Sequence, residues 1–85
     1  MTEAYGSSVG RELATRHARR DGRTIVVLRA LAVGEGSIVE AEVYPGRPGT
    51  PPTHAGPYRF GTAAEATTFL AAAVEALTYL GCEIE

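Results

Sequence analysis

The chain contains no lysine and no tryptophan, and only one cysteine and one methionine in 85 residues. A lone cysteine excludes an internal disulfide, and with it the stapled scaffolds of small secreted proteins. Two histidines, His17 and His54, stand 37 residues apart. No C-x-x-C or H-x-x-x-H spacing joins them to Cys82, so no metal site and no cofactor is implied. Walker A, G-x-S-x-G and G-x-G-x-x-G motifs are all missing. The fragment Gly34-Glu35-Gly36-Ser37 falls between two apparent strands. It lacks the strand–loop–helix setting in which backbone amides bind phosphate. No run approaches the ~18 apolar residues of a membrane span, and no signal peptide opens the chain. The expectation is a soluble, cytoplasmic protein with no membrane partner.

The hydrophobic set makes up 45% of the chain and charged residues 21%. These proportions suit a globular fold, and the length suits a single small domain over 1–85. All eight basic residues are arginine, and Ala, Gly, Arg and Pro together supply 37 of the 85 positions. Their codons are GC-rich, which points to a GC-rich, bacterial-type genome. Arginine also binds phosphate in a bidentate fork, so composition leaves a second explanation open. The net charge of −2 hides a dipole: residues 11–29 carry +4 and residues 31–85 carry −5. Such a chain can bind an anion at one end or pair with a copy of itself.

The C-terminal region has the clearest pattern. Thr62-Ala63-Ala64-Glu65 has the form of a capping box, in which the threonine and glutamate satisfy each other's backbone amides. Ala66, Phe69, Leu70, Ala73, Leu77 and Leu80 then recur three and four apart on one stripe. Gly81 stands where a left-handed residue ends a helix. The pattern predicts a helix over 63–80. Cys82 to Glu85 is too short to assign, and Ile84 is expected to tuck against the core.

The middle is β. Residues 24–33 (TIVVLRALAV) are rich in β-branched side chains and lie between glycines. Residues 37–44 (SIVEAEVY) alternate apolar and acidic, which is the pattern of a half-wet strand. Gly34 to Gly36 joins the two as a hairpin. A third strand is expected over 57–61. Residues 45–57 hold all five prolines and read as a long loop, and residues 1–10 read as frayed. Residues 10–20 fit helix propensity, but Asp21-Gly22 is a hairpin signal and favours a strand near 12–20. The fold class is therefore α+β: an antiparallel three- or four-stranded β-meander with one C-terminal α-helix packed on one face.

Strand 24–33 is apolar on both faces, interrupted only by Arg29. A doubly apolar strand is usually covered on both sides. The helix covers one face. The N-terminal segment or a second protomer must cover the other. The core is also small, because short chains bury a smaller share of their surface. Both points favour a homodimer or a protein partner.

Three further sets of residues carry candidate chemistry. Arg16, His17, Arg19, Arg20 and Arg23 form the densest basic cluster and make a candidate ligand-binding patch for nucleic acid or a phosphate ligand. No aromatic residue interleaves them, so base stacking is not supported. Glu40 and Glu42 share a strand face at ~6.8 Å, a spacing open to acid–base chemistry but typical of a solvated strand. Cys82 would be a nucleophile only with a base, and His54 is the one candidate. No catalytic residue is assigned. The sequence favours a non-catalytic domain that acts through self-association or a protein partner. Nucleic-acid or phosphate binding comes second, and a thiol enzyme built on Cys82 third.

Overall fold

The computed structural model describes residues 10–47 and 49–85. Strand β1 spans Arg11–Arg20, β2 Arg23–Val33, β3 Gly36–Val43 and β4 Thr53–Phe60. Helix α1 spans Ala63–Tyr79, and a short β5 spans Glu83–Ile84. All neighbouring strands pair antiparallel, in the order β4-β3-β2-β1-β5. This is the expected meander with one helix on one face, extended by an edge strand. Residues 1–10 were expected to fray. All but Gly10 lie outside the described residues.

Local chemistry sets each connection. Asp21 and Gly22 turn β1 into β2, both with positive φ (54° and 78°). That is the type I′ geometry whose twist matches the strands. Gly34, at φ 60°, opens the two-residue turn between β2 and β3. The capping box forms as the sequence implies. Thr62 Oγ1 accepts from the Glu65 amide at 3.1 Å, and Glu65 Oε1 accepts from the Thr62 amide at 3.2 Å. Ser37 Oγ donates to the Thr62 carbonyl at 2.6 Å and ties the helix start to β3. At the other end Gly81 takes φ 95°. Its amide donates to the Thr78 carbonyl and the Cys82 amide to the Leu77 carbonyl, both at 3.0 Å. These two bonds are the Schellman pair.

The core lies between α1 and one sheet face. Leu28, Ala30, Val39, Ala66 and Leu70 are buried there. Leu13, Ala14, Val26, Ala41, Phe60, Ala73, Val74 and Leu77 pack around them. Leu80 departs from the expected stripe. It is the C-cap residue and 65% exposed, because the chain turns away from the sheet there. Phe69 sits at the rim, stacked at a tilt against Tyr58 and Phe60 with centroids 5.4 and 5.2 Å away.

Two strands differ from expectation. β4 begins at Thr53, four residues before the expected start, so the proline-rich loop is shorter than 45–57. Between the pairs Val39↔Tyr58 and Ala41↔Ala55 the register shifts, leaving an extra residue in β4 at Gly56-Pro57. A bulge of this kind absorbs a proline that has no amide to give the ladder. The tail after Cys82 forms β5 against Ala18 and Arg19. Backbone bonds of 3.0 and 2.8 Å between His17 and Glu85 extend that pairing.

Candidate functional site

The five cluster residues all lie on the β1–β2 hairpin, but they do not converge. Directly paired residues share a sheet face. Arg16 pairs with Leu28 and so lies on the helix-bearing face, while His17 pairs with Val27 on the opposite one. Arg19 donates to the Gly22 carbonyl at 2.7 Å and meets Glu85 at 3.5 Å. Arg23 donates to the Gly46 carbonyl at 3.2 Å. Arg20 is exposed at the hairpin end.

Cys82 is a buried free thiol at the β5 edge. His54 is on β4, at the other edge of the sheet. Four inter-strand spacings separate those edges, about 19 Å, so this imidazole does not serve as the thiol's base. His54 instead approaches Glu42, with Nε2 3.1 Å from Oε2. The Tyr44 hydroxyl donates to the other oxygen of Glu42 at 2.6 Å. That hydrogen bond is the main reason the Glu42 carboxyl is held below its ordinary value, against partial desolvation and with help from His54 and Arg29. The same bond, with desolvation and the charge of Glu42, pushes the Tyr44 phenol up.

Sequence reasoning considered Glu42 with Glu40, and His54 with Cys82, but gave Tyr44 no role. The signal was present: Tyr44 follows Glu42 by two residues, the spacing that returns a strand side chain to the same side.

These groups belong to the sheet face that α1 leaves uncovered. The ladder registers resolve it into three rows running across the strands. The first is Glu12, Leu31, Ile38 and Arg59; the second is Thr15, Arg29 and Glu40; the third is His17, Val27, Glu42 and His54. No described helix or strand lies over these rows. Val27 is buried among its neighbours, and Leu31, Val33 and Ile38 are half-buried. Beside the β4 bulge the face hollows into a concavity of about 320 Å³ bordered by Arg29, Glu40, Glu42, His54 and Pro57. Among the described residues no His, Cys, Asp and Glu group is arranged to hold a metal ion. No described helix is long and apolar enough to cross a membrane.

No family model, curated protein or solved structure matches this chain.

Proposed function

We propose that this protein is a non-catalytic module that works by self-association through the uncovered face of its sheet. One observation carries the reading: β2 is apolar on both faces, and α1 covers only the face of Leu28 and Ala30. The other face sets Val27, Leu31, Val33 and Ile38 around Arg29, Glu40 and Glu42. It mixes apolar side chains with charges of both signs, and an interface taken whole is only about as apolar as the rest of a protein surface. The molecule measures 38 × 30 Å along its two longer axes. Those extents bound the face at no more than roughly 1,000 Å², against the about 800 Å² that each partner gives to an interface of standard size.

The sheet edges supply less. β4 carries a bulge and Pro57, and β5 is two residues long, both features that discourage edge pairing. The nucleic-acid alternative has weaker support, since Arg19 and Arg23 already bind backbone carbonyls of the chain. A cytoplasmic setting accords with a single free thiol kept reduced.

Sedimentation velocity or light scattering from micromolar to high micromolar concentration tests the reading. A concentration-dependent dimer is expected. A monomer throughout the range overturns it.

A further inference from the structure

The first two rows of the open face are arranged so that one way of stacking two copies matches charge with charge, while the third row sets Val27 on the partner's Glu42 and His17 on the partner's His54. A face-to-face pair related by a two-fold axis has that axis in the plane between the sheets. Two orientations are simple. With the axis across the strands, the middle row falls on itself, Arg29 on the partner's Arg29 and Glu40 on the partner's Glu40. Like charges brought together in an interface are strongly unfavourable. With the axis along the strands, each row falls on the same row reversed. β2 then lies over the partner's β3, and β1 over the partner's β4.

We propose that the second copy docks in this latter way, so that Arg29 meets the partner's Glu40, Glu12 meets the partner's Arg59, and Leu31 packs on the partner's Ile38. The proposal rests on the self-association reading above and specifies its geometry. The rows come directly from the register, in which Glu12 is level with Leu31, Ile38 and Arg59, and Arg29 is level with Glu40. Each charged contact occurs twice because the two-fold axis carries the interface onto itself. Stacked sheets keep their strands within about 30° of each other, an offset that long Arg and Glu side chains can span. Within one protomer Arg29 and Glu40 are cross-strand neighbours, yet they make no salt bridge with each other among the described residues. Glu12 and Arg59 are three strand spacings apart in one protomer, about 14 Å, and cannot meet there. Any energetic coupling between them is therefore intermolecular.

The test is mixing of charge-reversed chains. Arg29→Glu, Glu40→Arg, Glu12→Arg and Arg59→Glu are each made singly, with circular dichroism to confirm the fold. Each alone is expected to weaken the dimer at least about tenfold, since every reversal places like charges together twice. Equimolar Arg29→Glu with Glu40→Arg, and Glu12→Arg with Arg59→Glu, are expected to form heterodimers close to wild-type affinity. The Glu12 and Arg59 mixture is decisive, because it restores nothing if the axis runs across the strands. Both of those residues are exposed, so they remain usable if a reversal at Arg29 harms folding. A wild-type dimer whose mixtures stay apart overturns this pairing and leaves self-association standing. A monomeric wild type overturns both, and dimerisation only after removal of residues 1–9 assigns the face to the chain's own N-terminal segment.

Discussion

At the residue scale the Glu42–Tyr44 contact fixes a pH window. The carboxyl of Glu42 is lowered from its ordinary 4.5. A lowered acid stabilises the fold above its unfolded pKa, and that contribution is lost as pH falls through the folded value. The phenol of Tyr44 is raised from 10.0. Its contribution is complete below that value and is lost as pH climbs through the folded one. Denaturant midpoints are expected to fall below pH 4.5 and above pH 10 for the native chain. Tyr44→Phe should flatten both limbs, and unchanged limbs would mean that the contact contributes nothing to stability. Among the described residues, the buried hydroxyl of Thr15 has no hydrogen-bond partner. A buried hydroxyl left unpaired costs about 1–3 kcal/mol. Thr15→Val keeps the shape and the strand preference, and is expected to raise stability by about 1 kcal/mol in urea melts.

At the element scale the helix is the most dependable piece, because its ends are written in side chains. Thr62→Ala removes one half of the capping box and is expected to cost about 1 kcal/mol in thermal or chemical melts. The same legibility explains why Asp21-Gly22 and Gly34 identified their hairpins: each needs positive φ, and each supplies it. The first strand was harder to read, since its apolar pattern is broken. Between Glu12↔Leu31 and Ala14↔Ala30 the register gains Leu13 on β1. That extra residue lets Leu13 and Ala14 both join the core, and it hides the alternation that marks a strand. The start of β4 was illegible for a related reason. Gly56 and Pro57 signal a loop, and only a partner strand shows that they form a bulge within one. Gly56 has φ 92°, and a Cβ there would lie 2.9 Å from the Val39 carbonyl oxygen. Gly56→Ala is therefore expected to destabilise by more than the usual surface substitution, by about 1–3 kcal/mol. β5 escaped notice because two residues carry no period. The candidate site was legible only in part: Glu40, Glu42, His17 and His54 stood out as residue types, but which of them share rows depends on registers that those bulges shift.

At the whole-molecule scale the sheet carries, among the described residues, a helix on one side only. The core residues buried against α1 are mostly small, with Ala30, Val39 and Ala66 at its centre. Binding between folded chains stabilises them by mass action. The melting temperature is therefore expected to rise with protein concentration. Leu31→Lys, in the first row of the open face, should abolish that dependence while leaving the far-UV spectrum unchanged. A concentration-dependent melt that survives the substitution would move the contact elsewhere.

The bulge in β4 has a consequence for stoichiometry. A sheet that pairs along its edges can add copies without limit, and that is how strands build fibres. Here the extra residue and Pro57 close one rim, and β5 covers the Ala18 end of the other. One broad surface is already occupied by α1. In the proposed dimer the remaining surface is used once. The same proline that disguised the strand thus disfavours further growth along the β4 rim.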